Sequence, residues 1–397
     1  MSVANASAAA SRRFDIDWLR LVALGLLIIY HTLCVFDASP WVTKSDHAGP
    51  WAQGAVFLLT PWRMSLVFVI GGVAARFLFE KLGAAEFLRD RAQRLLVPYV
   101  LAVLVLAPPQ TYVNAVETAH ERGPFLDYWI HRAWSGVEYH GLRLPQAEHA
   151  WFLPYLFAYA AAAALVWSVR RRCFDLAQNL IGRLPAWALP VVVMAWFAFM
   201  DAVITPLHQR SLFIFTDVTG HLRWAPIFFL GIVVGRGDLF WEKLIGARTW
   251  LLALSLVLTA LCLAAWGLFG VSPSPGETTL LTVLRACFGG AMLFTVLSWG
   301  ARLLNRPSAA LRYGGDAILP VYLLHQTVLV LAAHYSGANH WPVALEFVFL
   351  AAASVGGSLA LYQFVIRDNG LLRFLFGLRP RRRGKERLAV EAPAAAA

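Results

Sequence analysis

Charged side chains are scarce in this sequence. They make up 14% of the 397 residues, whereas 59% of the residues are hydrophobic. A soluble domain carries roughly 25% charged residues, so the composition predicts a polytopic membrane protein instead. The formal net charge is +11, but the basic residues stand in short blocks between apolar runs, which is typical of cytoplasmic membrane loops. We therefore do not expect nucleic acid as a partner.

Cysteine is also scarce, and common cofactor motifs are missing. The four cysteines show no metal-ligand spacing, which argues against a disulfide framework and against a metal site. The sequence has no P-loop, dinucleotide-binding fingerprint, zinc-protease motif or nucleophile elbow, and we expect no tightly bound cofactor. The N-terminus lacks a signal-peptide pattern, because the first apolar run is full length and no cleavage site follows it. We therefore predict a retained transmembrane helix.

Long apolar runs organise the chain. A helix needs about 20 residues to cross a bilayer, and we predict ten such runs. They cover 16–36, 54–79, 95–116, 149–169, 187–205, 222–235, 249–270, 280–300, 314–335 and 343–366. Most lysines and arginines fall in segments that are cytoplasmic if the N-terminus is inside, and this bias places both termini in the cytoplasm. The sequence thus predicts an all-α integral membrane protein with about ten transmembrane helices.

Three regions follow from this pattern. They are a cytoplasmic N-terminal tail at 1–13, a transmembrane domain at 14–367, and a cytoplasmic C-terminal tail at 368–397 that is basic and then disordered. We expect the basic part of the tail to lie on anionic lipid headgroups. The longest outer connection, 117–148, is rich in His, Trp and Tyr, as either an aromatic interface belt or a lid over a cavity would be.

The first apolar run carries polar side chains that a bilayer accepts only at a cost in free energy. Arg20 and His31 are eleven positions apart, which is three helical turns plus about 20°. Both therefore project from one face, about 16 Å apart along the axis. Asp17 precedes Arg20 by three residues and can pair with it. Arg20 alone is more typical of ordinary topogenic charge, and His31 could instead be a core histidine bonded to another helix.

A second basic group precedes the third apolar run. Arg91 and Arg94 are three residues apart on a helical entry, with Arg89 nearby. Guanidinium groups form paired hydrogen bonds with phosphate, so the pair suits a cytoplasmic anion clamp. The positive-inside rule explains the same residues without a ligand, and the spacing leaves both interpretations open.

Further candidates lie in or near later runs. His149 and Trp151 open the fourth run from outside, where interface anchors are common. Tyr322 and His325 stand about one turn apart in the ninth run, and we expect His325 near the membrane midplane. Arginines in the outer parts of helices either line a polar cavity or extend to the interface. These arginines are Arg63, Arg223 and Arg285.

Four short segments together resemble the acyltransferase-3 family of membrane acyltransferases. "RLVALGLLIIYH" (20–31) fits an Arg-x10-His signature of its first helix, and "RAQRLLVPY" (91–99) resembles its Arg-x-x-Arg element. "HAWFLPYL" (149–156) resembles its H-x-W-F-L segment, and "LPVYLLHQ" (319–326) its late Y-L-x-H segment. The four occur in the family's order, so the predicted transmembrane domain is acyltransferase-3-like. The start of the chain is most similar to members that modify periplasmic glucans with acyl groups such as succinyl.

The resemblance implies an inner-membrane enzyme that moves an acetyl or succinyl group from cytoplasmic acyl-CoA to a hydroxyl of an extracytoplasmic glycan or similar acceptor. It implies His31 as the catalytic residue, acting as general base or as carrier of the acyl group. Two further residues, His325 and Tyr322, are expected to be catalytic by orienting the acceptor or stabilising the oxyanion. Those expected to bind the donor are Arg20, Asp17, Arg91 and Arg94. Those expected to bind substrate are His149, Trp151, Arg63 and Arg285.

The same resemblance makes acyl-CoA a donor substrate rather than a bound cofactor. We expect membrane lipid around the chain and no appended SGNH domain, and the sequence leaves a homo-oligomer open. The main rival is a transporter or flippase for a glycan or lipid, although such proteins often show paired repeats and broken helices in both halves. A structural scaffold leaves both buried histidines unexplained. Consumption of acyl-CoA separates an enzyme from these alternatives.

Overall fold

The computed structural model describes residues 13–119, 121, 123–136, 138–139, 142–208, 211, 213–269 and 274–380, and within these ranges the chain is almost entirely helical. Residues 1–12 of the predicted N-terminal tail and residues 381–397 of the predicted C-terminal tail lie outside them.

Sixteen α-helices lie within the described residues. They are α1 (Phe14–Phe36), α2 (Pro50–Arg91), α3 (Val97–Leu101), α4 (Ala107–Ala119), α5 (Phe125–Asp127), α6 (Phe152–Arg170), α7 (Arg172–Arg183), α8 (Ala188–Phe199), α9 (Thr205–Leu207), α10 (Val218–Val234), α11 (Asp238–Gly246), α12 (Arg248–Phe269), α13 (Pro275–Leu303), α14 (Ala309–Ser336), α15 (Val343–Leu361) and α16 (Gly370–Leu375). Single turns of π-helix occupy Ala92–Leu96, Ala102–Leu106, Tyr128–Arg132, Met200–Ile204 and Tyr362–Ile366. Turns of 3-10 helix occupy Glu148–Trp151 and Gly337–Asn339.

Eight helical stretches among the described residues are long and apolar enough to cross a membrane, or nine if the bent pair α10 and α11 forms one span. The predicted helical architecture with many apolar spans is thereby confirmed. The count differs because the predicted spans 54–79 and 95–116 both fall within one continuous stretch, Pro50–Thr118. Ten spans and the cytoplasmic position of both termini stay predictions.

The stretch Pro50–Thr118 is too long for a single crossing. As a straight helix its 69 residues would extend about 100 Å, against a hydrocarbon core of about 30 Å. A kink lies at Gly83, whose φ of 73° and ψ of 173° fall in a region that residues with a Cβ rarely adopt. The chain thus changes direction between the two predicted spans at a single non-helical residue that joins two helices, rather than in a loop.

The sixth predicted span, 222–235, corresponds to α10. This helix has 17 residues, which is short for a crossing. After a brief break, α11 continues at an angle of 107°. The short apolar run in the sequence is therefore a short helix followed by a sharp bend.

Helix α2 lies at the centre of the bundle and packs against α1, α6, α10 and α13. It approaches α10 closely because glycines face each other where the two helices cross. A Cβ built on Gly72 would lie 2.0 Å from the carbonyl oxygen of Phe228, and a Cβ on Gly231 would lie 2.1 Å from the carbonyl oxygen of Val69. Small residues permit such close backbone contact between membrane helices, so this crossing fixes one wall of the interior.

Helix α1 is anchored at its Phe36 end. The Lys44 ammonium donates hydrogen bonds to the carbonyl oxygens of Cys34 and Asp37, both at 2.7 Å. The Cys34 carbonyl belongs to the last turn, where a helix leaves its carbonyl groups without intrahelical partners. Partial burial lowers the pKa of Lys44. His31 lies in the turn before this anchored end, so its position in the bundle is well defined.

The predicted outer connection 117–148 folds into small elements. It contains α5 and an antiparallel hairpin of Glu138–Tyr139 with Leu142–Arg143. The ring of Tyr112 in α4 packs against the ring of Phe125 with centroids 5.4 Å apart. The aromatic side chains of this connection therefore cover the end of α4.

The first part of the predicted C-terminal tail is packed. Phe376 and Leu378 are buried in the core, and the Leu378 amide donates to the carbonyl oxygen of Arg373 at 2.7 Å. The packed domain therefore extends beyond the predicted boundary at 367, to Leu378 at least. The physical reason is that this stretch interleaves apolar residues with its basic ones, and neighbouring helices cover those apolar side chains.

Candidate active site

A cavity of about 1260 Å³ runs through the helix bundle, which exceeds the roughly 300–1,000 Å³ of common small-molecule sites. One face of α1 lines it along most of the helix. The lining residues are Arg13, directly before α1, and within α1 Ile16, Asp17, Arg20, Ala23, Leu24, Leu27, Tyr30 and His31. Steps of three and four residues are those of a single helix face. Arg20 and His31 share this face, as their spacing predicts.

Arginines line the end of the cavity near Phe14. We call these four residues the arginine cluster: Arg20, Arg91, Arg94 and Arg379. Arg20 pairs with Asp17 as predicted, with 3.3 Å between Nη1 and Oδ1. Arg91 pairs with Asp90 at 2.5 Å, whereas Arg94 makes no side-chain hydrogen bond among the described residues. Among the residues that the structure describes, the guanidinium groups of the cluster thus form ion pairs with two carboxylates, Asp17 and Asp90.

Three histidines from distant parts of the chain meet further along α1. Called the histidine cluster below, they are His31 of α1, His149 just before α6 and His325 of α14. The rings of His31 and His325 lie nearly parallel, with centroids 5.1 Å apart and planes 5° apart. The His149 ring stands edge-on to both, at 6.5 and 5.0 Å. All three are buried, so His149 lies in the interior rather than at a membrane interface.

The hydrogen bonds of this cluster determine which ring nitrogens carry protons. His325 Nδ1 lies 2.6 Å from the carbonyl oxygen of Tyr322, and a carbonyl only accepts, so Nδ1 carries the proton. In neutral His325 the Nε2 atom is then an acceptor, and His31 Nδ1, 2.9 Å away, donates to it. Neutral His31 therefore presents an unprotonated Nε2, which can accept a proton or attack a carbonyl carbon.

His31 and His149 line the cavity, whereas His325 lies behind His31 and is fully buried. Direct contact between His325 and a substrate, as expected from the sequence, does not fit this arrangement. The side chain instead holds His31 through the bond between the two rings. The geometry thus suits a positioning role for His325.

Tyr322 ties α14 to the segment that carries His149. Its hydroxyl donates to the His149 carbonyl oxygen at 2.6 Å, and His149 Nε2 donates to the Leu323 carbonyl oxygen at 3.0 Å. The Tyr322 ring lines the cavity, but its hydroxyl proton is bound to backbone. His149 Nδ1 is buried with no hydrogen-bond partner among the described residues. Tyr322 thus helps to hold His149 in the cavity wall.

Arg63 of α2 is buried close to His31. Its guanidinium carbon lies 3.5 Å from the centroid of the Tyr30 ring, in a cation–π arrangement. Nε and Nη1 have no hydrogen-bond partner among the described residues. A buried cation with unused donors is costly unless an anion completes its surroundings. Since Arg63 lines the cavity, it suits an anionic group of a ligand there.

The remaining candidates from the sequence also line the cavity. Arg285 Nε donates to a backbone carbonyl of α2 at 3.2 Å, and Arg223 forms an ion pair with Asp201. Trp151 packs against Trp224 with ring centroids 4.9 Å apart. These arginines therefore border an interior space rather than extending to the membrane surface.

The cavity residues that the sequence did not point to include Arg379 and Glu148. Arg379 falls in a basic stretch that resembles any cytoplasmic tail, and no pattern in the sequence marks it. Glu148 has a φ of 46°, which is uncommon for a residue with a side chain and is often found at functional sites. Its signal in the sequence is a carboxylate placed directly before His149 at the start of an apolar run.

The histidine cluster is not arranged as a metal site. Among the residues that the structure describes, no group of three or more His, Cys, Asp and Glu side chains could hold a metal ion. The bonds of His325 run to a carbonyl oxygen and to His31. The chemistry available here is that of imidazole and guanidinium groups.

Comparison with known proteins agrees with the four sequence segments. The family model described as an acyltransferase domain, acyltransferase-3, matches residues 13–363. Glucans biosynthesis protein C from Escherichia coli strain K12 is 24% identical over 384 residues, covering 94% of this chain and 96% of that protein. The protein of the same name from Escherichia coli O81 strain ED1a is 24% identical over 382 residues with the same coverage. No solved structure gives a significant match. The resemblance seen in the sequence is thus confirmed: the chain belongs to the acyltransferase-3 family and is a membrane acyltransferase.

Proposed function

We propose that this protein is an inner-membrane O-acyltransferase that uses cytoplasmic acyl-CoA and acylates a hydroxyl of an extracytoplasmic glycan. The transferred group is acetyl or succinyl. The observation that carries the proposal is one cavity with the arginine cluster at one end of α1 and His31 near the other. This arrangement supports a donor with a polyanionic head and a reactive group at the end of a long arm.

The donor fits this geometry by charge and length. Phosphate groups of CoA bind at the arginine cluster, where guanidinium groups offer paired donors. The pantetheine arm follows the face of α1, along which Arg20 and His31 are about 16 Å apart. The lining between them is apolar, with Ala23, Leu24 and Leu27. The thioester thereby reaches His31.

Two routes for His31 fit the free Nε2. As general base, Nε2 takes the acceptor's hydroxyl proton while the oxygen attacks the thioester carbonyl; the carbon–sulfur bond then breaks, and the CoA thiolate receives the proton. As nucleophile, Nε2 attacks the carbonyl and the CoA thiolate leaves; the acceptor oxygen then takes the acyl group from the imidazole, and the hydroxyl proton passes to the thiolate. Both routes develop negative charge on the carbonyl oxygen, which the unused donors of Arg63 would stabilise.

The acceptor is proposed to enter from the Phe36 end of α1. Aromatic and polar side chains line this part of the cavity, among them Trp41, Gln146 and Trp151, and such a surface suits a sugar. The relatives are named for the biosynthesis of glucans, which supports a glucan-like acceptor. Asp17 acts here as the partner of Arg20, while His149, Arg63 and Arg285 contribute to substrate binding. Membrane lipid surrounds the chain, and a homo-oligomer is compatible with the proposal.

A flippase or transporter is the second candidate, because a cavity that follows most of α1 is also what a translocated glycan or lipid requires. Such a protein moves its cargo without consuming acyl-CoA. The family membership favours the enzyme.

The test is release of free CoA by the purified protein in lipid nanodiscs, with acetyl-CoA and succinyl-CoA, with and without a periplasmic glucan fraction. Wild type should release CoA in an acceptor-dependent way, and His31→Ala should abolish the release. His334→Ala is the matched control, because His334 is in α14 but pairs with Glu117 and does not line the cavity. Release by His31→Ala at the wild-type rate contradicts the role of His31. If no acyl-CoA is consumed by wild type, the transporter is favoured.

A further inference from the structure

The segment after α15 is folded into a defined structure, the C-terminal hook, residues 369–380. The Arg373 guanidinium holds it by donating to both carboxylate oxygens of Asp316 (3.0 and 3.2 Å), to the carbonyl oxygen of Arg379 (3.0 and 2.9 Å) and to that of Arg367 (3.1 Å). Gly377 has a φ of 68°, and a Cβ there would lie 2.9 Å from the Arg94 carbonyl oxygen. The hook therefore packs directly against the backbone at Arg94, a residue of the arginine cluster.

The hook ends by bringing Arg379 to the cavity. Arg379 Nη2 lies 3.0 Å from Asp90 Oδ1, while Arg91 binds the other oxygen of the same carboxylate. Arg94 interacts electrostatically with both of these arginines and with Arg20. The Asp90 carboxylate thus accepts hydrogen bonds from both Arg91 and Arg379. Arg94 makes no side-chain hydrogen bond among the described residues.

We propose that Arg379 is a donor-binding residue that contacts the nucleotide phosphates of acyl-CoA. The inference rests on the proposed function, and it adds a residue that lies after the part matched by the family model, which ends at residue 363. Nη2 of Arg379 binds Asp90, and no other side-chain hydrogen bond of Arg379 is made among the described residues. Its Nε and Nη1 donors are therefore available to a phosphate.

Phosphate is the expected ligand because of the charge and spacing of the cluster. Asp90 orients the guanidinium groups of Arg91 and Arg379 from one side, which leaves their remaining donors for an anion on the other. CoA carries a diphosphate and a separate 3′-phosphate, so several guanidinium groups can act on it at once. The pantetheine arm of CoA is uncharged. Binding of pantetheine alone therefore reports the contacts deeper in the cavity and not the phosphate contact of Arg379.

The test is equilibrium binding of CoA, dephospho-CoA and pantetheine to the full-length protein in nanodiscs, measured by calorimetry. Arg379→Gln should raise the Kd for CoA about tenfold, the effect of one charge-assisted contact, and leave the Kd for pantetheine unchanged. Arg379→Lys should give an intermediate Kd, because it keeps the charge but loses the planar fork. The side chain of Arg379 is 60% exposed, so both variants should fold, and thermal unfolding checks this.

Arg367→Gln is the matched control, because Arg367 precedes the hook, binds Gln363 and does not line the cavity; it should bind CoA as wild type does. The inference is overturned if Arg379→Gln binds CoA with the wild-type Kd, or if it weakens CoA and pantetheine equally. In both cases acyl-CoA remains the donor, and the proposed function stands. If wild type itself binds no CoA, the proposed function and this inference fail together.

Discussion

His325 should control the reaction through His31 without touching a substrate. Its Nε2 accepts the hydrogen bond from His31 Nδ1, and its own Nδ1 donates to the Tyr322 carbonyl. Replacing His325 by Leu fills most of the same buried space and removes the acceptor. The proton on His31 Nδ1 then has no partner in an apolar interior.

The expected magnitude follows from that lost hydrogen bond. A buried donor without a partner costs about 1–3 kcal/mol. This cost disfavours the tautomer of His31 that has a free Nε2. At about 1.4 kcal/mol for each factor of ten, the productive tautomer becomes about 5- to 150-fold rarer. We expect kcat to fall by the same range, while KM for acyl-CoA stays close to wild type because the arginine cluster is unchanged.

The assay is steady-state CoA release with the acyl-CoA that wild type uses, together with thermal unfolding in the same lipid. His325→Gln is the informative companion, because its amide oxygen can accept the proton of His31 Nδ1 and should recover part of kcat. A folded His325→Leu variant with wild-type kcat refutes the reasoning. A Gln variant no better than the Leu variant refutes the tautomer argument in particular.

Two further predictions concern stability, measured by thermal unfolding in detergent. Gly72→Ala places a Cβ 2.0 Å from a carbonyl oxygen of α10 and should lower the free energy of unfolding by about 3 kcal/mol. The control is Gly25→Ala, whose Cβ would have nothing within 4 Å and should not lower the free energy of unfolding. Equal stabilities of the two variants would contradict the close crossing of α2 and α10. Asp217→Ala removes the acceptor for the Gly220 amide (3.0 Å) and the Tyr155 hydroxyl (2.8 Å) and should cost about 1–3 kcal/mol. Tyr155→Phe, which removes one of these bonds, should cost less, and the reverse order contradicts this network.

Much of the helical architecture could be predicted from the sequence. Within a bilayer the backbone must satisfy its own hydrogen bonds, and an apolar run of membrane length does so by forming a helix. The breaks were harder to predict. At Gly83 the chain remains helical on both sides of a kink, and apolar composition carries no information on a single residue's φ. The packing at 368–380 was missed for a related reason: a stretch with many arginines is typical of a tail, and only tertiary contact reveals that Phe376 and Leu378 are covered.

At the site, the sequence predicted what one helix determines by itself. Arg20 pairs with Asp17 and shares a face of α1 with His31, because helical spacing fixes both relations. The contact between His31 and His325 joins residues 294 positions apart, and no local spacing encodes it. Which nitrogen of His31 carries the proton could therefore be inferred only from the structure, which places α1 beside α14.

The wall of the cavity has a consequence for the permeability of the membrane. A water-filled passage along the whole of α1 would let protons and small cations leak and would discharge the ion gradient. The apolar middle of the wall, with Ala23, Leu24 and Leu27, offers an ion no polar partner, which raises the free-energy cost of an ion there. Arginines near both ends, among them Arg20 and Arg63, repel cations electrostatically. The arginines that suit an anionic substrate would therefore also hinder the passage of cations along the cavity.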